Sequence, residues 1–322
     1  MPRKTRLMFV VKANAYGHGA AVCAKAAEQG RLADWLGVSS VEEGLALRQA
    51  SVRLPILVLG SLYPFESFLA AAEAGLTPTV ASLESARRLV QVAAKLGRPV
   101  ACHLKVETGM GRIGVSPLAA VEVARYLLGE KGVRLEGLYT HFSCAEDDPE
   151  FTREQLSKFK RASSEVLALA GRRVPMLHAA NSAGALRYPA GRLDMVRPGL
   201  ALYGLCEGFS PVLALKSRLI FIKTVPKGSA ISYGASYKTR AAARIGTLPI
   251  GYADGYSRAL SNKGFVLVGG RRVPIVGRVT MDMLMLDLTS VPTAKVGDEA
   301  VLIGRQGGAE IVPAFATHLP AS

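Results

Sequence analysis

The sequence predicts an α/β chain: a TIM-like (β/α)8 barrel over residues 1–208, followed by a mostly-β domain over residues 209–322. Three observations predict it. Up to about Gly208, short apolar runs alternate with alanine-rich segments of helical period. After the first run, where an open dinucleotide-binding sheet carries its G-x-G-x-x-G turn, "GHG" at 17–19 lacks the third glycine and the acidic partner. Beyond about residue 209 the helical period gives way to β-branched stretches broken by Gly and Pro. Near-continuous apolar strands alternating with helices are covered on both faces, and eight such units point to a closed barrel.

The eight runs are "RLMFVV" from Arg6, "WLGVSS" from Trp35, "PILVLG" from Pro55, "TPTVAS" from Thr77, "VACHLKVE" from Val100, "RLEGLYTHF" from Arg134, "VPMLHAA" from Val174 and "RLDMVRPG" from Arg192. Between the fourth and fifth, "SLESARRLVQVAAKLG" is amphipathic at helical spacing, with Ser82 as N-cap and Gly97 as stop. The second domain reads as strands in "LKSRLIFIKTV", "RIGTLPIGYADGY", "FVLVGGRRVPIVGRVTMDMLMLDLT" and "VGDEAVLIG".

At 322 residues, the chain is long enough for about two domains and a large core. Hydrophobic residues make up 49% and charged residues 20%, which excludes a disordered chain. No apolar run reaches the roughly 18 residues of a membrane span. The opening "MPRKTRLMFVV" has the basic start of a leader. Its apolar run ends at Lys12 and no small-residue cleavage site follows, so a cytoplasmic location is expected. Cys23, Cys102, Cys144 and Cys206 form no C-x-x-C pair; neither a metal site nor a redox motif is expected, and free thiols suit a reducing compartment. The net charge of +15 raises the question of nucleic acid. Its Lys and Arg residues are scattered as singles and doublets, at 87, 172 and 271 for example, without a basic block or interleaved aromatics. Anionic substrates or solubility explain the charge without a nucleic-acid partner.

Functional groups of a parallel barrel gather at the C-terminal ends of its strands. There the first run ends on Lys12, in "VVKANAYGHG". A lysine at a barrel mouth is either a snorkelling surface residue or an amine that traps a carbonyl. The second use requires its pKa to fall from ~10.4 to about 7–8, roughly 3–5 kcal/mol of environment. The fifth run leads to Arg112 in a glycine-rich turn, the sixth to His141, the seventh to Asn181 and Ser182 opening a helix, and the eighth to Arg197, Gly199 and Leu200. Each has a plain alternative: a structural histidine, a helix-capping serine, a surface arginine. Together an amine, cations and anion-binding amides outline a pyridoxal phosphate site.

The chain resembles the alanine racemases. "VVKANAYGHG", "LKVETGMGRIG", "GLYTHF", "HAANSAG", "MVRPGLALYG", "ISYGASY", "IGYADGY" and "GRVTMDM" stand in that family's order at compatible spacings. The resemblance implies pyridoxal 5'-phosphate as cofactor and Lys12 as the Schiff-base lysine. It implies that Tyr16, Ser182 and the amides of Gly199 and Leu200 hold the phosphate, and that Arg197 faces the pyridine nitrogen. Arg112 is implied at the phenolate side and substrate carboxylate, with Lys105, which can be carbamylated, as its partner. Tyr233 becomes the second catalytic base, oriented by His141, while Tyr252 and the backbone of Met281, next to Asp282, line the substrate pocket.

Two bases follow from the chemistry, since inversion at Cα removes a proton from one face and returns one to the other. The resemblance also implies a head-to-tail homodimer sharing its sites, and D-alanine supply for peptidoglycan. Family members begin about two dozen residues earlier and continue roughly forty residues past "ATHLPAS", so shorter ends and one fewer phosphate contact are expected here. A racemase of broader preference that includes serine, and a cofactor-binding protein with little turnover, are the alternative readings.

Overall fold

The computed structural model describes residues 5–171 and 175–312. The basic opening residues 1–4, the doublet at 172 and the closing "ATHLPAS" lie outside the described residues. The chain divides into two compact units, Met1–Cys206 and Glu207–Ser322.

In the first unit, strands β1 (Arg6–Val10), β2 (Trp35–Val38), β3 (Ile56–Val58), β4 (Thr77–Val80), β5 (Val100–Lys105), β6 (Val133–Tyr139), β7 (Met176–His178) and β8 (Met195–Val196) pair in sequence order. All pairings are parallel, and β8 returns to β1, closing the barrel expected from the sequence. β2, β3 and β4 are buried at every position, as strands covered on both faces must be. The connecting helices follow their sequence signals. Leu83–Leu96 starts at Ser82, whose hydroxyl accepts the Ser85 N–H in a reciprocal capping box, and ends at Gly97. Val41–Gln49 is capped by Ser40, and Pro149–Ala170 by Asp148.

Period two places alternate residues of each barrel strand inside. Met8, Trp35, Leu57, Tyr139 and Met195 pack there as one buried cluster. His103 and His178 are also completely buried, which apolar pattern alone would not place in a core. His103 faces Gly137 across the β5–β6 ladder, where the register slips between Cys102 and His103. A Cβ at Gly137 would overlap the His103 ring. Gly137→Ala is therefore expected to push His103 off its hydrogen bond to His178 and to cost about 1–3 kcal/mol by overpacking. Urea unfolding measures this; an unchanged midpoint would mean that the ring moves freely.

Among its described residues the second unit is all β apart from short 3₁₀ turns, again as its composition predicts. One antiparallel sheet orders β10 (Phe221–Val225), β13 (Ala243–Leu248) and β16 (Leu284–Asp287). A larger one orders β15 (Arg271–Pro274), β14 (Phe265–Val268), β17 (Glu299–Gln306) and β18 (Ala309–Ile311), with β9 (Leu215–Arg218) also on β17. β11 (Ala230–Ile231) and β12 (Tyr237–Lys238) form a separate hairpin pair. Leu248, Val266, Val273, Leu284, Leu286 and Leu302 are among the residues that close its core. "IGYADGY" leaves the ladder after Leu248 and makes a 3₁₀ turn at Tyr252–Asp254. Among the described residues no helix is long and apolar enough to cross a membrane.

Candidate active site

Lys12 is placed by an unusual turn. Ala13, Asn14, Ala15 and Tyr16 all adopt the left-handed conformation, with φ of 51°, 53°, 56° and 54°. Each costs about 1–2 kcal/mol for a residue with a Cβ, so the turn stores roughly 4–8 kcal/mol. Surrounding bonds hold it: Ala15 N–H donates to Val11 O at 2.8 Å and Gly19 N–H to Asn14 O at 3.0 Å, while Asn14 Oδ1 accepts Ala20 N–H at 2.9 Å. Tyr203, buried beneath, donates its hydroxyl to Val10 O at 2.9 Å. The turn reverses the chain immediately after β1, leaving Lys12 half-buried at the barrel mouth. Burial, and then the Arg112 guanidinium, lower its pKa, while Glu43 acts in the opposite direction. The amine is thus unprotonated at lower pH than a free lysine.

A cavity of about 230 Å³ opens there, lined among others by Lys12, Tyr16, Arg112, His141, Ser182 and Arg197. Lys105, Gly199 and Leu200 line it too, so every barrel residue singled out from sequence meets in one place. The glycine-rich turn carrying Arg112 is gathered by Glu107, whose carboxylate accepts the amide protons of Gly109 at 2.6 Å and Met110 at 2.5 Å. Arg112 itself remains exposed to solvent at the rim.

Arg197 lies deeper, 3% exposed. Its guanidinium donates to His178 Nδ1 at 2.7 Å, to Thr140 O at 2.6 Å and to Ala179 O at 2.9 Å, with His141 Nδ1 at 3.4 Å. Burial brings Arg197 down to about 10, so it stays charged at neutral pH. The same burial, with Arg197 next in effect, holds His141 at about 2 and His103 at about 3, and both are neutral. A guanidinium has only donors, so His178 Nδ1 must accept and its Nε2 must carry the proton toward His103 Nδ1, 2.9 Å away. The arginine therefore sets the tautomers of a buried histidine pair.

Tyr139 occupies the centre of this arrangement. Its ring stacks on His178 at 4.8 Å, with Arg197 at 5.1 Å and the Lys105 ammonium at 5.5 Å from its centroid. Its hydroxyl meets Thr79 Oγ1 at 2.9 Å, and burial pushes its pKa up to about 12. Lys105, 3% exposed among these cations, is brought down to about 8, chiefly by burial and then by Arg112 and Arg197.

Ser182 does not act as the helix cap. Asn181 takes that position, accepting the Gly184 N–H at 2.9 Å, which frees the Ser182 hydroxyl to accept amide protons of Gly199 at 3.0 Å and Ala201 at 3.1 Å. A Cβ on Gly199 would stand 2.5 Å from the Tyr16 hydroxyl. The glycine thus makes room for a hydroxyl–amide cradle built from Tyr16, Ser182 and Gly199. Amides and hydroxyls, together with an amine and two arginines in one cavity, suit an anionic ligand that also bears a carbonyl.

Tyr233, Tyr252, Met281 and Asp282 lie in the second unit. Tyr252 N–H donates to Thr280 O at 3.0 Å and Ala253 N–H to Met281 O at 2.9 Å, so the segments at 251–253 and 280–281 adjoin. Ser232 Oγ donates to Arg278 O at 2.7 Å and brings the Tyr233 turn to the same strand connection. Thr280 Oγ1 contacts Asp282 Oδ1 at 3.5 Å. Tyr233 is 71%, Met281 60% and Tyr252 45% exposed in the single chain.

Sequence reading missed Glu43, Glu107, His103, Tyr139 and His178. A positional signal was present for one of them: His103 stands two residues before Lys105 on β5, hence on the same inward face. Among the described residues no three metal-ligating side chains converge.

The alanine racemase N-terminal domain model matches residues 1–207, and the C-terminal domain model residues 212–319. The alanine racemase of Symbiobacterium thermophilum is 46% identical over 316 residues, covering 95% of this chain and 83% of that relative. That of Halothermothrix orenii is 44% identical over 315 residues, covering 95% and 82%. The solved alanine racemase of Clostridium difficile 630 superposes with a TM-score of 0.88 at 37% identity, covering 96% of this chain and 83% of that one. With both units matched in order and relatives this similar over nearly all its length, the chain belongs to the alanine racemase family, a family of amino-acid-racemising isomerases.

Proposed function

We propose that the chain interconverts L- and D-alanine with pyridoxal 5'-phosphate held in the barrel mouth. The cofactor-binding barrel then comprises residues 1–208, and the β-domain residues 209–322. The observation that carries this reading is the shared cavity, lined by Lys12, by the buried Arg197 and by the hydroxyl–amide cradle of Tyr16, Ser182 and Gly199. The fit is chemical: Tyr16, Ser182, Gly199 and Leu200 suit a phosphate, Lys12 an aldehyde, and Arg197 an aromatic nitrogen. Bound pyridoxal phosphate supplies an aldehyde for the substrate amine and an electron sink that acidifies the Cα–H bond.

The residues of this chain supply the rest. Lys12, with its depressed pKa, takes or returns the proton on one face of Cα. Tyr233 serves the other face, its hydroxyl oriented by His141, which is neutral and adjacent to Arg197. With pyridoxal phosphate bound, Arg197 would donate to the pyridine nitrogen and, having no acceptor for a ring N–H, would favour the unprotonated ring. Arg112 holds the substrate carboxylate, and Lys105, once carbamylated, pairs with Arg112. Tyr252, Met281 and Asp282 shape the substrate pocket. Tyr233, Tyr252 and Met281 are solvent-facing large side chains on the second unit. That exposure supports a head-to-tail homodimer in which one copy's tyrosine completes the other's barrel. Family membership supports a cytoplasmic role in supplying D-alanine for peptidoglycan.

Formation of D-alanine from L-alanine by the purified chain with added cofactor tests the activity; serine as a competing substrate tests its breadth. Because the equilibrium constant of a racemisation is one, loss of either base lowers kcat/KM equally in both directions. Cα hydrogen exchange in deuterated water separates the two. For Tyr233→Phe, exchange of L-alanine is expected to fall by roughly 10²–10⁴ while D-alanine still exchanges through Lys12. Equal losses for the two enantiomers would remove Tyr233 from the role of second base.

A further inference from the structure

The carboxylate of Glu43 joins the loops that leave two adjacent strands. Oε1 accepts the Ala13 N–H at 2.6 Å, and Oε2 accepts the Ser39 N–H at 2.7 Å and the Ser39 hydroxyl at 2.9 Å. Glu43 lies in the first turn of Val41–Gln49, where a carboxylate favours the helix N-terminus and often reaches back to the preceding backbone. That plain reading accounts for Oε2 and Ser39. It does not account for Oε1, which leaves the helix altogether and takes the amide that follows Lys12.

That amide has structural consequences. Ala13 is the first left-handed residue of the turn, and its N–H belongs to the peptide made from the Lys12 carbonyl. Further along, the Ala15, Gly17, His18 and Gly19 amides bond within the turn or to Val11. The orientation of the Lys12–Ala13 peptide relative to the barrel is thus set from outside, through a side chain fixed on the β2 loop. Strained backbone persists only where neighbours over-determine it. Of the charged groups that act on Lys12, Arg112 depresses its pKa and Glu43 opposes that. At the ends of β5 and β6, Lys105 and the neutral His141 share the cavity with it.

We propose that Glu43 is the positioning residue for the Lys12 amine: by clamping the Lys12–Ala13 peptide to the β2 loop it aims that amine into the cavity. The inference rests on the reading of Lys12 as the cofactor-bearing lysine. The full-length chain is incubated with increasing pyridoxal phosphate, reduced with borohydride, and modified Lys12 is quantified by mass spectrometry. Glu43→Ala is expected to raise the half-saturating cofactor concentration at least about tenfold and to lower kcat by about 10–100-fold, with the KM for L-alanine nearly unchanged, because a misaimed group of this kind costs up to about 10². Glu43→Gln keeps the volume but turns an amide donor toward Ser39; it is measured in the same way and decides the matter should the alanine variant not fold. Ser40→Ala, which removes the helix cap and leaves the bridge, should lower Tm without altering attachment or kcat. Attachment and kcat within twofold of the parent in the Glu43 variants would overturn the proposal. So would equal losses in Ser40→Ala, which would assign the effect to helix stability. If Lys12→Ala still retains cofactor covalently, the reading of Lys12 falls and takes this one with it. If Lys12→Ala loses the cofactor while Glu43→Ala behaves as the parent, only the role of Glu43 falls.

Discussion

Lys12→Ala is expected to abolish covalent retention of pyridoxal phosphate and to lower racemisation by at least about 10³-fold. General-base catalysis by a positioned side chain contributes roughly 10²–10⁴, and the same amine is the attachment point for the cofactor. The fold should survive, because the Lys12 amine donates no hydrogen bond among the described residues and its burial raises the cost of charging it. Thermal unfolding should therefore remain near that of the parent while yellow colour and D-alanine formation are lost. Turnover that persists at more than a tenth of the parent rate would exclude Lys12 as base. A fall in Tm of many degrees would show instead that the left-handed turn depends on the lysine stem.

Arg197→Leu is expected to be the most destabilising single change in the barrel, by about 3–5 kcal/mol. It leaves His178 Nδ1, Thr140 O and Ala179 O, all on buried residues, without their donor. Each such orphan costs about 1–3 kcal/mol, partly offset because an ion no longer has to be buried. Arg197→Lys should recover only part of the loss, since one ammonium cannot span three acceptors in the plane of a guanidinium fork. Denaturant unfolding gives both values. If Arg197→Leu were as stable as the parent, the desolvation cost of the guanidinium would outweigh all its hydrogen bonds, and its retention would be explained by chemistry alone.

Much of the barrel was legible because burial on both faces forces long apolar content into short strands. "ILV" and "WLGV" announce themselves by that content. Lys12, Arg112, His141, Ser182 and Arg197 were legible because strand ends in such a barrel are where polar residues converge. The pairing of His103 with His178 was not, since a histidine within an apolar run reads as an interruption until its partner is known. Their pairing depends on β5 and β7 both flanking β6, and on the register slip that brings Gly137 opposite His103. Ser182 shows the same limit from the other side. Position suggests a helix cap; the structure gives the cap to Asn181 and turns the serine to the amides after β8.

The sequence by itself determined the alternation of strand and helix, the change to an all-β second unit, the family, and the residue types needed for amine, cation and anion-binding chemistry. These follow from local pattern and from motifs whose order survives in one dimension. Tertiary structure alone decided which carboxylate holds the Lys12 turn, how Arg197 directs the tautomers of His178 and His103, and how Ser182 meets the Gly199 amide. Those are contacts between residues far apart in the chain, such as Ala13 with Glu43 and Arg197 with Thr140. Hydrogen bonds depend on distance and angle, and closure of the barrel is what brings such groups within 3 Å of one another.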